Sequence, residues 1–103
     1  LHSDAPMAPL SPLTLVWAAS ERQTFSGARG LKSERLSRAS ALKAVTSGAA
    51  KVIGREHDIG SIRAGKRADF VVLAQDPMTA PADALRGIKV EATVFSGTAY
   101  PTP

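Results

Sequence analysis

Apolar side chains recur along this chain with two different periods, and the change from one to the other falls near Gly54. Before it, Leu13, Val16 and Trp17 stand at i, i+3 and i+4, the spacing that gathers side chains on one face of a helix. Leu15 adds a second apolar side, so burial on more than one face is expected, with Trp17 as core. Ser11-Pro12 starts this helix, because serine caps free first-turn amides and proline fills a position that needs no amide donor. From Phe25 to Arg35 serine, glycine and charge replace the pattern, which predicts a loop. Ser37 opens a second helix, with Leu36 placed to staple onto Ala41. Leu42, Val45, Ala49, Val52 and Ile53 keep the helical spacing up to Gly54, the predicted terminator. Gly48 weakens this helix by about 1 kcal/mol relative to alanine and marks a bend or break near Ser47-Gly48.

Beyond Gly54 the period is that of strands. Gly60-Ser61-Ile62-Arg63-Ala64-Gly65-Lys66 is a short apolar segment before a turn. Ala68 to Ala74 is a run of strand formers, apolar on both faces, and predicts a strand covered on both sides in the middle of a sheet. Asp76-Pro77 ends it, and Pro81 to Arg86 can make one helical turn closed by Gly87. Ile88 to Val94 alternates strictly, which leaves one face wet. Ser96-Gly97 then suits a tight hairpin returning through Thr98, Ala99 and Tyr100, and Pro101 and Pro103 are expected to stop further pairing. At the other end, Pro6 and Pro9 oppose helix, so residues 1 to 10 read as a strand end passing into an extended loop.

Composition adds bounds. The 103 residues, 44% hydrophobic and 21% charged, suit one small soluble domain with a modest core. Without cysteine there are no disulfides and no thiolate metal sites, which fits a reducing, cytoplasmic setting. No apolar run approaches the roughly 20 residues of a membrane span, and nothing resembles a signal peptide. A start on Leu1 is expected for a chain cut from a larger protein. The net charge of +4 raises nucleic acid as a partner. Its densest groups, Arg29-Lys32-Arg35-Arg38 and Arg63-Lys66-Arg67, lack interleaved aromatics for base stacking, so the expectation is a solvated basic face.

Candidate chemistry is concentrated in Leu1-His2-Ser3-Asp4. On a strand, residues two apart share a face, so His2 and Asp4 can point the same way. From the residues alone, Asp4 reads first as a solvated or turn-capping group before Ala5-Pro6. Glu56-His57-Asp58 imitates a metal cluster only in composition, because one polar turn seldom supplies a whole shell, and His57 is expected in solvent. Asp69, inside an apolar strand, is expected to bond nearby backbone or Lys66 or Arg67, in a structural role.

Four stretches taken together, HSDAP, AVTSGAAKVIG, IGSIRAGKRADFVVLAQDP and IKVEATVFSGTAY, resemble the carboxy-terminal part of the amidohydrolase superfamily. The branch it resembles is amidohydrolase family 3, which includes proteins similar to N-substituted formamide deformylases. The resemblance covers essentially the whole chain, and GSIRAGKRADFVVL is its most specific part. It implies an α+β fragment: the last strand and helices of a (β/α)8 barrel in residues 1–58, then the carboxy-terminal strands of a small β-sandwich in residues 59–103. It implies a divalent metal, zinc by expectation, held mainly by residues outside this chain. Asp4 is then both metal ligand and catalytic carboxylate, and His2 a substrate-binding or orienting companion. The expected function is hydrolysis of an amide or related C–N bond of a small molecule by the full-length enzyme, with the isolated chain inactive and its uncovered apolar surface prone to association into oligomers. The alternative is a non-enzymatic basic α+β module that binds a protein or nucleic-acid partner.

Overall fold

A computed structural model describes all 103 residues and orders them as three helices followed by a three-stranded antiparallel sheet. Helix α1 spans Pro12–Glu21, with Ser11 as its cap: the serine side chain accepts a hydrogen bond from the Thr14 amide at 3.3 Å. Its end is closed by Arg22, whose amide donates to the Ala18 carbonyl and whose left-handed φ of 50° turns the chain away from the helix. Ser37 caps α2, Arg38–Val45, by accepting from the Ser40 amide at 3.1 Å. The periodicity through Ile53 predicts a single helix, but the chain breaks at Thr46, whose φ of −121° and ψ of −99° are not helical, and resumes as α3, Ser47–Val52. The Thr46 hydroxyl donates to the Leu42 carbonyl at 2.8 Å, the local bond through which threonine competes with helix continuation. This break, one residue before the expected Ser47-Gly48, turns the rest of the stripe outwards: Ala50 is buried, while Val52 and Ile53 are 87% and 64% exposed.

In the sheet, β1 is Phe70–Leu73, β2 Val90–Phe95 and β3 Thr98–Pro101, in the order β1-β2-β3. Phe70 pairs with Val94, and Thr93 with Tyr100. The alternation read from Ile88 onward is realised in β2, where side chains are half-buried and exposed in turn. Ser96 and Gly97, with φ of 49° and 82°, form the tight hairpin turn. Two expectations fail. The β1 strand lies at the edge, not in the middle, because this chain gives it one ladder partner where an apolar strand needs two neighbours and two covering layers. Pro101 does not stop pairing: it sits opposite Ala92, and the Thr102 amide still donates to the Glu91 carbonyl at 2.9 Å. Proline lacks only its own donor, so a neighbouring residue can continue the ladder along an edge strand.

The core lies where the two halves meet. Val16 and Trp17 of α1 and Ala41 of α2 pack against Ala80, Leu85 and Ile88, which belong to the connection between β1 and β2. The Pro81–Gly87 stretch makes the expected single turn, and it buries Leu85 completely. Complete burial of a valine or leucine contributes roughly 1.5–3 kcal/mol, so Val16 and Leu85 are the main pins of this contact. Arg86 lies over the Trp17 ring at 4.6 Å and covers the core's rim. Arg38 donates to the Pro77 and Ala80 carbonyls, both at 2.9 Å, and faces Glu21 at 3.6 Å, joining α2, α1 and the β1–β2 connection. The sequence places Arg38 on a solvated basic face; the structure makes it a half-buried bracket. No helix is long and apolar enough to cross a membrane.

Candidate active-site segment

Residues 1–3 form no ladder within this chain, and residues 4–7 are a turn closed by the Met7 amide on the Asp4 carbonyl at 2.9 Å. Asp4 itself has a φ of 50°, a left-handed conformation that aspartate tolerates better than most residues. The chain therefore leaves the extended path at Asp4, and the two-residue alternation that would align its side chain with His2 stops there. The Asp4 carboxylate is exposed, accepts no hydrogen bond and pairs with no cation of this chain. His2 is exposed as well and lies between two shallow apolar grooves, one floored by Ala44, Gly48 and Val52, the other by Leu15, Ala19 and Leu36. The structure thus seats Leu1-His2 against the helices and lets Asp4 stand free.

Of the other ionisable candidates, Asp58 and Asp69 are engaged locally. Asp58 accepts two hydrogen bonds from the Arg55 guanidinium, at 3.1 and 2.6 Å. His57 is exposed, as its polar neighbours predict. No group of three or more histidine, cysteine, aspartate or glutamate side chains converges anywhere in the chain. Asp69 has the structural role expected of it: one oxygen accepts from Arg67 Nε at 2.7 Å, the other from the Ser96 amide at 2.9 Å. It fastens the start of β1 to the hairpin turn. The hydrogen bond from Arg67, followed by that from the Ser96 amide, lowers the Asp69 pKa below the ordinary carboxylate value, and the same bond raises that of Arg67.

Sequence reasoning missed what Lys66 does. Its ammonium donates to the Glu56 carbonyl, the Ile59 carbonyl at 3.3 Å and the Ser61 hydroxyl at 2.8 Å, and so organises the irregular stretch between α3 and β1. The available signal was weak: a lysine after Gly65 in a segment with no regular period, whose carbonyls must find donors somewhere.

Residues 1–99 match the model of a family described as the amidohydrolase family. The chain is similar to N-substituted formamide deformylase of Arthrobacter pascens, 37% identical over 97 residues, covering 94% of this chain and 18% of that protein. It is similar also to the putative amidohydrolase YtcJ of Bacillus subtilis strain 168, 35% identical over 98 residues, covering 92% of this chain and 18% of the relative. The chain therefore spans under a fifth of the length of these curated relatives. No solved structure matches it. With the match running from Leu1 through the hairpin to Ala99, and so including the free carboxylate of Asp4, the chain belongs to the amidohydrolase family.

Proposed function

We propose that this chain is the carboxy-terminal portion of a metal-dependent amidohydrolase that hydrolyses the C–N bond of a small-molecule amide, with Asp4 as its contribution to the chemistry. The observation that carries the reading is the family match over residues 1–99 together with an Asp4 carboxylate left unpartnered by its own chain. In this reading residues 1–58 are the tip of the eighth strand of a (β/α)8 barrel with the helices that follow, and residues 59–103 are the carboxy-terminal strands of a small β-sandwich. Catalytic groups at the ends of barrel strands are the rule for that architecture.

The donors present fit a metal only in part. One exposed carboxylate, even with His2, does not make a shell of four ligands, and no third group converges on them. Asp4 is suited to be one ligand of a divalent ion, zinc by preference, whose remaining donors come from outside this chain. When bound, such an ion acidifies a water molecule and polarises the amide carbonyl. Asp4 takes a proton on a carboxylate oxygen and delivers it to the departing nitrogen, which must be protonated to leave as an amine. His2, beside the helices, orients Asp4 or touches the substrate. The chain by itself is inactive.

The relative from Arthrobacter pascens is named for N-substituted formamides, and that class is the first to assay. In the full-length, metal-loaded enzyme, Asp4→Asn is expected to lower kcat on the order of 10²–10⁴-fold, the range typical of a lost acid–base group. Wild-type kcat in the folded variant would sink the assignment.

A further inference from the structure

The turn that begins at Asp4 brings the backbone of Met7 back beside that of Asp4. A backbone hydrogen bond from residue i+3 to residue i brings their Cα atoms within about 7 Å, and the Met7 amide makes that bond to the Asp4 carbonyl at 2.9 Å. The Met7 side chain is 83% exposed, so nothing in its own chain claims it. It is apolar and unbranched, with three rotatable bonds and a polarisable sulfur, which lets it mould to apolar groups of different shape. Leu10 is also 83% exposed, but it lies beyond the turn, next to the Ser11 cap of α1. The chemistry assigned to Asp4 says what stands next to this turn. A carboxylate that protonates the departing nitrogen has that nitrogen, with whatever substituent it carries, as its nearest part of the substrate; the acyl group lies on the far side of the breaking bond.

We propose that Met7 contacts the substituent on the scissile nitrogen and biases the enzyme towards amides whose amine side is apolar. The inference rests on the proton-transfer role proposed for Asp4, and it adds a specificity residue and the part of the substrate that is read. The test uses the full-length, metal-loaded enzyme and two substrate series. One lengthens the N-alkyl group of formamides from methyl to hexyl; the other lengthens the acyl group of N-methylamides over the same range. In the wild type, kcat/KM is expected to rise on the order of three- to fourfold per methylene in the N-alkyl series, the value of an apolar contact. Met7→Ala brings that factor towards one, Met7→Leu retains it, and the dependence on acyl length is the same in both variants as in the wild type. Leu10→Ala leaves both series as they are in the wild type. An unchanged N-alkyl dependence in Met7→Ala would overturn the proposal, as would an equal change in the acyl series or an equal effect of Leu10→Ala. The shortest formamide assayed with Asp4→Asn separates the two readings. Full activity there removes the role of Asp4, whereas its loss together with wild-type selectivity in Met7→Ala removes the role of Met7 alone.

Discussion

Around α1, Val16 and Leu85 are removed from solvent entirely, whereas along β1 Phe70, Val71 and Val72 stay 39%, 52% and 41% exposed. The second stretch is at least as apolar as the first, so hydrophobicity does not decide the difference. Neighbours do. Helix α1 is enclosed by α2 and by the turn Leu85–Gly87, while β1 has β2 along one edge and nothing on the other. Only nine of 103 residues are buried, too few to hide the apolar side chains that the sequence carries. The lesson is that this chain encloses one apolar region, at the junction of α1, α2 and the β1–β2 connection, and leaves another open along β1. Exposed strand edges of this kind are where sheets acquire further strands.

The comparison can be broken most directly with a pair of truncations. Leu85→Ala is expected to cost about 2–5 kcal/mol through the cavity it leaves, and Val71→Ala under about 1 kcal/mol because much of that side chain is already wet. Denaturant midpoints of the two variants decide it: equal losses would show that β1 is covered in solution after all. A smaller effect is expected at Gly60, which seals α3 to the irregular stretch before β1. Its φ is +85°, and a Cβ added there would lie 2.5 Å from the Cβ of Ala50. Gly65 has the same φ of +85° with no atom within 4 Å. Gly60→Ala should therefore be less stable than Gly65→Ala by about 1–3 kcal/mol, the cost of overpacking, since backbone strain is common to both. Indistinguishable melting curves would mean that the contact between Gly60 and Ala50 yields freely.

The smallest effect belongs to acid. Asp69 is lowered in the folded chain, so its ionised form contributes stability that is complete above its unfolded value of about 3.9 and is lost as pH falls through the lower folded value. Arg67 is raised by the same bond and stays charged throughout this range, so Asp69 is the partner whose titration removes it. The hairpin should therefore loosen below about pH 4, whereas the apolar cluster of Val16, Trp17 and Leu85 contains no carboxylate of its own. Amide shifts followed from pH 5 to pH 2 read this out; a Ser96 amide that does not titrate in that window would count against the Asp69 bond.

Much of the local structure is legible because it depends on nearest neighbours. Ser11 and Ser37 cap their helices as their chemistry requires, Ser96-Gly97 makes the hairpin, and β2 shows the alternation of its residues. Asp69 is legible too, since a carboxylate in an apolar strand must find donors nearby. The break at Thr46 is not, because the stripe from Leu42 to Ile53 satisfies helical spacing on both sides of it and the competing bond from the Thr46 hydroxyl is a local alternative without a periodic signature. Nor is the work of Arg38 and Lys66, whose partners are backbone carbonyls, and every residue offers one of those. At the candidate site, residue types single out His2 and Asp4, but a left-handed turn at Asp4 in place of an extended strand is not legible in their spacing.

The sequence by itself determined most element types, the serine caps, the Ser96-Gly97 hairpin and the family, since these follow from side-chain spacing and from residues adjacent along the chain. Only the tertiary structure decided that β1 is an edge strand, that Leu85 is the pin between helices and sheet, and that Asp4 stands free while Asp58 and Asp69 are engaged. Those outcomes depend on which segments meet in space. That Val16 and Leu85, nearly seventy residues apart in sequence, join one core cluster leaves no mark in the pattern of either.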